Sequence, residues 1–275
     1  MKPTRLQSFL GVALLSSGVS LCQATPIVSI LIDDFSVDQY QEVAGDNGCT
    51  TFDAANPGCA VVTAPGTQVS GTGILGGYRD VYIEKSGTSS PLLRSSLVIG
   101  PGNLGSNYMS ISNDSSVQGE VTLVWDGAHQ ITADPGIDAN IDTDGLGGID
   151  FLSSSSNYGI LLEVMSIDLN VIATLDLWDT TGERAGASHT FTSAADHVFQ
   201  FSDFLSDNPS LDLHDIGAVR LTMNGPNKWD GEFNLVGVVS PSPLASSIPE
   251  PAPAALLGFA LMLPGLRRSH RKTGR

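Results

Sequence analysis

Apolar residues alternate with polar ones along several segments of this chain, and this alternation restricts the fold more than any other feature. Val121, Leu123 and Trp125 fall on one side of an extended segment, with Glu120 and Thr122 on the other. A period of two is the spacing of a half-buried β-strand, whereas an amphipathic helix repeats every 3.6 residues. We therefore predict a strand here. The same pattern recurs in residues 171–177, 219–223 and 233–239.

Shorter runs of the same character predict further strands, separated by turns rich in Gly, Ser, Asn and Asp. No long amphipathic helix competes with them, and Ser202–Asn208 predicts one short helical turn with Ser202 as its N-cap. Ten or more short strands joined by polar turns indicate an all-β domain, an antiparallel β-sandwich of the jelly-roll type. The further predicted strands are Ile27–Asp33, Tyr78–Lys85, Leu92–Ile99, Asn107–Asn113, Tyr158–Ile167, Ser188–Thr192 and His197–Phe201.

The first 24 residues have the layout of a secretory signal peptide. Lys2 and Arg5 give a positive start, residues 9–15 are an apolar core, and Cys22-Gln23-Ala24 is a plausible cleavage site. Lipidation at the cysteine of that site is the alternative interpretation. We predict that residues 1–24 are removed on export and that residues 25–240 are the exported domain.

The last 28 residues form a second terminal signal. Their apolar run, Ala252–Leu266, spans about 22 Å as a helix, which is short of the roughly 30 Å hydrocarbon core of a bilayer. Five basic residues follow within the last nine positions, and short flanks rich in Lys and Arg resist translocation. This short hydrophobic helix is suited to transient membrane engagement rather than to lasting anchorage as a transmembrane helix. A buried C-terminal helix with a solvated basic end is the alternative.

The order of these parts resembles the PEP-CTERM sorting signal of Gram-negative bacteria. Pro249, Glu250 and Pro251 match the Pro-Glu-Pro of that family. Ala254–Leu266 matches its short hydrophobic helix, and Arg267–Arg275 matches its Arg-rich end.

This resemblance implies that residues 249–275 are recognised by an exosortase, a membrane enzyme that removes such tails. It implies export through the inner membrane to the cell surface or extracellular matrix, and an association with exopolysaccharide. Residues 241–248, rich in Pro and Ser, are predicted to be a linker between the domain and the tail.

Acidic residues dominate the part of the chain between the two terminal signals. It holds 28 of the 29 acidic residues but only 6 of the 13 basic ones, which gives a net charge of about −22. Such a surface repels nucleic acid and anionic lipid. It attracts cations, and calcium is the obvious extracellular one. Simple solubility is the alternative reason for this charge.

Two cysteines remain once the signal peptide is removed. An even pair in an exported protein indicates a disulfide, here between Cys49 and Cys59. The turn-forming residues 56–58 between them would bring the sulfurs together. Two free thiols are the alternative, and no nearby His completes a metal site.

The densest acidic segment resembles a calcium-binding loop. Asn140, Asp142 and Asp144 occupy positions 1, 3 and 5 of an EF-hand-like loop, followed by the glycine of position 6. Position 12 is Phe151 instead of Glu, and Asp150 lies one residue earlier. We predict a shortened calcium loop that uses Asp150 as a further ligand, with an acidic surface loop as the alternative.

Trp229 is the tryptophan with the least reason to be buried, because it lies in the polar turn of residues 224–231. It is predicted to stack on a sugar ring while Asn227, Lys228 and Asp230 bond the hydroxyls. A tryptophan folded back over the edge of the sandwich is the alternative.

A second resemblance covers most of the domain. Residues 32–35 (Ile-Asp-Asp-Phe), 76–79 (Gly-Gly-Tyr-Arg) and 199–204 are laid out as in galactose-binding-like and carbohydrate-binding-module jelly rolls. This resemblance implies a sugar-binding β-sandwich, in which Trp229 or a tyrosine such as Tyr78 would contact the sugar.

Catalytic motifs are missing from the sequence. It has no Gly-x-Ser-x-Gly, no His-Glu-x-x-His and no phosphate-binding glycine loop. His129, His189, His197 and His214 are scattered without ligand spacing.

We predict a non-catalytic, exported protein with a structural or adhesive role and with polysaccharide as a partner. A carbohydrate-binding module proper is the first alternative. A polysaccharide hydrolase or lyase that uses paired carboxylates is the second.

Overall fold

The alternating segments form antiparallel β-strands in a computed structural model, which describes residues 26–44, 62–86, 92–101, 106–131 and 140–241. The described strands are β1 (Ile27–Asp33), β2 (Gln39–Val43), β3 (Val62–Ser70), β4 (Tyr78–Ser86), β5 (Ser95–Pro101), β6 (Asn107–Asn113), β7 (Gln118–Trp125), β8 (Gly159–Ile167), β9 (Val171–Asp179), β10 (Arg184–Phe191), β11 (His197–Gln200), β12 (Ile216–Asn224) and β13 (Gly231–Ser240). The helical segments within the same ranges are α1 (Phe201–Asp207) and a 3₁₀ turn at Leu75–Gly77.

The strands assemble into two antiparallel sheets. One has seven strands, in the order β11-β8-β13-β6-β5-β2, and β1 pairs with β13. The other has six strands, in the order β10-β9-β12-β7-β4-β3. One edge of β13 pairs with β8. Its other edge pairs with two strands, with β6 at Gly231–Phe233 and with β1 at Val236–Ser240. The predicted antiparallel β-sandwich is confirmed.

One face of each sheet is buried against the other sheet, which is why the period of two dominates the sequence. On β7, Val121, Leu123 and Trp125 are fully buried in the main hydrophobic cluster. Leu175 on β9 and Val238 on β13 join the same cluster from the two sheets. Each strand therefore contributes alternate residues to the main core. The other face of the six-stranded sheet is partly covered, because Val124, Trp178 and Ala218 are buried there in a second, smaller cluster.

A buried polar network crosses the core at one end. Arg79 on β4 makes a two-pronged ion pair with Asp33 of β1, with Nη1 3.0 Å from Oδ1 and 2.9 Å from Oδ2. Its Nε donates to Gln39 of β2 and its Nη2 to the Val37 carbonyl. Trp125 Nε1 of β7 also donates to Asp33. Because β1 and β2 lie in one sheet and β4 and β7 in the other, this network joins the two layers.

The short helix does not use its predicted N-cap residue. The helix α1 begins at Phe201, and its N-cap is Gln200, which makes no side-chain capping bond. The prediction of Ser202 as the N-cap is therefore wrong. Phe201 and Phe204 are buried, so packing against the core places this turn.

Two of the histidines that showed no spacing pattern in the sequence contact each other at an edge of the sandwich. The rings of His189 on β10 and His197 on β11 stack with their centroids 3.6 Å apart, and these strands belong to different sheets. Burial and the charge of His189 lower the pKa of His197. This contact therefore favours the neutral form of His197.

Several predictions fall on residues outside those that the structure describes. They are the signal peptide of residues 1–24, the disulfide of Cys49 and Cys59, and the sorting motif Pro249, Glu250 and Pro251 with its linker and tail. Residues Pro26–Pro241 form one compact unit. No helix in the described ranges is long and apolar enough to cross a bilayer.

Candidate functional site

A row of five outward-facing residues crosses the seven-stranded sheet at right angles to its strands. Strand register places Tyr40 opposite Val98, Val98 opposite Ser110, Ser110 opposite Glu232, and Glu232 opposite Ser166. We call these residues the transverse row. Neighbouring strands lie about 4.8 Å apart, so the row is roughly 19 Å long.

An exposed aromatic ring stands at one end of the transverse row. Tyr40 is 61% exposed, and with Asp38 and Val98 it lines a shallow cavity of about 300 Å³. Its hydroxyl donates to Glu42, and Glu42 pairs with Arg94 at 3.2 Å. The bond to Glu42 raises the pKa of the Tyr40 hydroxyl, and the same bond lowers the pKa of Glu42. The tyrosine is therefore held in one orientation although it is exposed.

A polar pocket occupies the other end of the row, between β6, β13 and β8. Its volume is about 330 Å³, and hydroxyl and carboxylate groups predominate among its side chains. We call it the serine–acid pocket. It is lined by Ser110, Ile111, Ser112, Ser166, Ile167, Asp168, Asp230, Gly231 and Glu232.

Hydrogen bonds to the protein fix the acidic side chains of this pocket. Asp168 Oδ1 accepts the Asp230 N–H at 2.7 Å, and Asp230 Oδ1 accepts the Asn113 N–H at 2.9 Å. Glu232 Oε2 accepts the Ser166 hydroxyl at 3.3 Å. One oxygen of each carboxylate is thus committed to the fold, and the geometry of the pocket is set before a ligand arrives.

The transverse row combines two features that suit a polyhydroxylated ligand. An exposed aromatic ring offers an apolar face for stacking, and the fixed oxygens of the serine–acid pocket offer acceptors for hydroxyl groups. A ligand that touches both ends must be extended, because Tyr40 and Glu232 are three strand spacings apart, about 14 Å.

The similarity of this chain to known proteins is low. No protein-family model and no curated protein matches the sequence. Solved structures that resemble it include a family 11 carbohydrate-binding module from Clostridium thermocellum in complex with a mixed-linked tetrasaccharide. That match has 15% identity and a TM-score of 0.32, and it covers 74% of this chain and 96% of the module.

Two further structures are similar over part of their length. One is described as PfGH50B, with 10% identity and a TM-score of 0.35, covering 65% of this chain and 29% of that one. The other is an exo-β-agarase, with 13% identity and a TM-score of 0.33, covering 58% of this chain and 24% of that one. At these values the likenesses carry no conclusion about function.

Trp229 is a core residue, which corrects the prediction that it stacks on a sugar. It is 0% exposed and belongs to the main hydrophobic cluster. Its Nε1 donates to the Gly119 carbonyl at 2.8 Å, and its own carbonyl accepts from Asn113 Nδ2. An indole with no exposed face offers no surface to a sugar. The polar turn around it misled the prediction, because only Pro226, Asn227 and Lys228 of that turn are exposed.

The predicted calcium loop is folded onto the six-stranded sheet through its backbone. Asp142 donates its N–H to Asp126 Oδ2 at 3.0 Å, and Asp142 Oδ1 accepts the N–H of Asp144 at 3.1 Å. Asn140 is half-buried at the start of this segment, and Asp144 is exposed. Asp142 therefore caps its own turn.

Asp150, the fourth predicted ligand of that loop, contacts different groups. Asp150 Oδ1 accepts the Leu152 N–H at 2.8 Å and lies 2.9 Å from His214 Nδ1. Within the described ranges, no group of three or more His, Cys, Asp or Glu side chains is arranged to hold a metal. Calcium binding by this loop stays a prediction.

A buried carboxylate that the sequence did not single out lies beside this loop. Asp80 on β4 accepts the Ile131 N–H at 3.2 Å and a Gln68 amide hydrogen at 3.0 Å. Burial raises the pKa of Asp80 to about 7, and the nearby charge of Asp126 adds to the rise. Asp126 is itself buried, and its Oδ1 accepts no hydrogen bond within the described part of the chain.

We expect the Asp80→Asn substitution to stabilise the protein more at pH 8 than at pH 5, by a difference of about 1–3 kcal/mol. An unfolded Asp titrates near 4, so the folded state holds the extra proton between pH 4 and about 7. The wild type therefore loses stability as the pH rises through this window, and the amide does not. Urea unfolding at both pH values measures the difference. Asp144→Asn, at an exposed position, is the control, and an equal response of both variants would contradict the expectation.

The transverse row could not be predicted from the sequence because its five residues lie on five different strands. Tyr40 lies in Gln39–Val43, where the inward positions are glutamines and the apolar alternation is weak. Ser110 and Ser166 look like ordinary outward residues of their strands. The only available signal was the alternation itself, which places Ser110, Glu232 and Ser166 on outward faces without giving the strand order.

Proposed function

We propose that this domain is a non-catalytic, carbohydrate-binding β-sandwich that binds an extended polysaccharide along the transverse row. The observation that carries the proposal is the continuity of the row, from the oriented ring of Tyr40 to the serine–acid pocket. A sugar stacks on the tyrosine, and a later unit of the same glycan bonds the oxygens around Glu232.

The terminal signals support a site of action outside the cell. A signal peptide at residues 1–24 and a tail that resembles an exosortase substrate fit delivery to the cell surface or extracellular matrix. Polysaccharide is available there, and the domain would serve a structural or adhesive role by holding it. The strongly acidic domain surface fits this setting, because it disfavours nucleic acid and anionic lipid as competing partners.

We expect Tyr40→Ala to weaken glycan binding by about tenfold or more, because a truncated stacking residue at an interface costs roughly 1.5–2 kcal/mol. Tyr40→Phe keeps the ring and loses only the bond to Glu42, so a smaller effect is expected. A glycan array first finds the ligand, and isothermal titration of the full chain then measures both variants.

Tyr158→Ala is the matched control for this experiment. Tyr158 is an exposed tyrosine that precedes β8, and Ser166 lies eight residues further along the chain, roughly 26 Å away in an extended strand. Equal losses for Tyr40→Ala and Tyr158→Ala would show that the row does not bind the glycan. Unchanged binding in Tyr40→Ala would show the same.

The serine–acid pocket also favours a second candidate function, a polysaccharide hydrolase. Asp168, Asp230 and Glu232 surround one pocket, and pairs of carboxylates serve glycosidases as acid and base or nucleophile. Incubation of the purified domain with its bound glycan separates the candidates. Release of reducing ends that stops in Glu232→Gln would replace the non-catalytic proposal.

A further inference from the structure

The charges of the serine–acid pocket are all of one sign. Asp168, Asp230 and Glu232 line it, and no Lys, Arg or His lines it within the described part of the chain. The two segments that carry these acids, at the end of β8 and the start of β13, place them around a cavity of about 330 Å³. The pocket is therefore an anionic cavity at the end of the transverse row.

The hydrogen bonds within the pocket do not neutralise these charges. The donors are two backbone N–H groups and one serine hydroxyl, all of them neutral. None of the ion pairs among the described residues involves Asp168, Asp230 or Glu232. The second oxygen of each carboxylate makes no hydrogen bond within those residues. Three acceptors without a cationic partner among the described residues are thus left for a ligand.

This charge pattern discriminates between classes of polysaccharide. A uronate, sulfate or phosphate group in the pocket would meet carboxylates of the same sign at close range, which is unfavourable. A neutral sugar would bond the oxygens but leave the charges uncompensated. An ammonium group donates three hydrogen bonds and forms charge-assisted bonds with carboxylates, which are roughly twice as strong as neutral ones.

We propose that the polysaccharide bound by the transverse row carries protonated amino groups, and that one ammonium group lies in the serine–acid pocket. This inference rests on the proposed function, since it names the ligand class of the same site. The sugar units between the pocket and Tyr40 span the roughly 14 Å that separates Glu232 from the tyrosine. The acidic domain surface steers such a cationic glycan towards the protein at low ionic strength.

The test compares two oligosaccharides that differ only in whether their amino groups are free or acetylated. They are a β-1,4-linked glucosamine hexamer with free amines and the same hexamer fully N-acetylated. The full chain is titrated with each by calorimetry at mildly acidic pH, where glucosamine amines are protonated and carboxylates are still ionised. We expect the free-amine hexamer to bind at least tenfold more tightly, and we expect Glu232→Gln to remove most of that preference.

Non-specific attraction between a polycation and an acidic protein must be distinguished from binding in the serine–acid pocket. Asp203→Asn removes one charge from an exposed position of α1, outside the transverse row, and is the matched control for Glu232→Gln. We expect Asp203→Asn to leave the preference unchanged. Equal weakening by both variants would overturn the inference, because the attraction would then be non-specific.

The outcomes distinguish failure of the inference from failure of the proposed function. Equal or tighter binding of the N-acetylated hexamer overturns the amine inference, and binding that still depends on Tyr40 leaves the glycan-binding function standing. If neither hexamer binds but a neutral glycan binds in a Tyr40-dependent way, the amine inference alone fails. If no glycan on the array depends on Tyr40, the proposed function fails as well.

Discussion

Arg79→Ala is expected to lower the free energy of unfolding by about 3–5 kcal/mol, the typical cost of removing one partner of a buried ion pair. The side chains of Arg79 and Asp33 are both fully buried. Burial already raises the pKa of Asp33, so without the guanidinium the carboxyl must either take up a proton or stay charged without its cation, and Gln39 loses a hydrogen bond. The network also joins the two sheets, so its loss weakens the packing between layers.

Arg94→Ala is the matched control for Arg79→Ala. Arg94 pairs with Glu42 at 3.2 Å, but its side chain is more than half exposed, so a loss of about 0–1 kcal/mol is expected. Urea unfolding followed by circular dichroism compares the two variants. A loss below 1 kcal/mol for Arg79→Ala would contradict the structural role of the network.

Trp229→Ala is expected to destabilise the protein by about 3–5 kcal/mol, as large-to-small substitutions of buried aromatic residues do. The indole fills space in the core, and its Nε1 bond to the Gly119 carbonyl ties the turn before β13 to β7. The substitution opens a cavity and leaves a buried carbonyl without its donor. A sugar-stacking tryptophan would instead lose binding while the fold stayed intact.

Two comparisons separate these interpretations of Trp229. Trp229→Phe keeps an aromatic ring but not the N–H, so a smaller loss of stability is expected than for Trp229→Ala. Tyr158→Ala, at an exposed position, is expected to change stability by about 0.5 kcal/mol or less. Thermal unfolding of the full chain measures all three. A stable Trp229→Ala variant with normal unfolding would contradict the buried position.

Sequence alternation predicted the fold class because most strands have one apolar face and one polar face. Strands β1 and β6 were predicted with the bounds that the structure has. Strand β2 was missed because its inward residues Gln39 and Gln41 are polar. They are buried because they bond partners inside the sandwich, including Arg79 and Thr67. Strand β3 was missed as well, and its pairing with β4 is irregular between Ala64 and Thr67.

The candidate site was less predictable than the fold because its residues are brought together by strand order. Nothing local marks Tyr40 as adjacent to Ser110 or Glu232, since β5 and β6 must first be placed between β2 and β13. For Trp229 the local composition was misleading, because its polar sequence neighbours indicated an exposed side chain and the indole is buried. The burial of a turn residue depends on which strands lie beneath it, and a single sequence does not encode that locally.

The position of β13 has a consequence for the order in which the protein assembles. This last strand pairs with β8, β6 and β1, and Ser29 of β1 bonds the Val238 carbonyl 209 positions later in the chain. Contacts of such long range form slowly, because a large loop must close first. Because synthesis starts at the N-terminus, β1 cannot complete its pairing with β13 until residue 240 has been made. The part of the transverse row on β2, β5 and β6 joins the part on β8 only through Glu232 of β13, so the row is completed by the final strand.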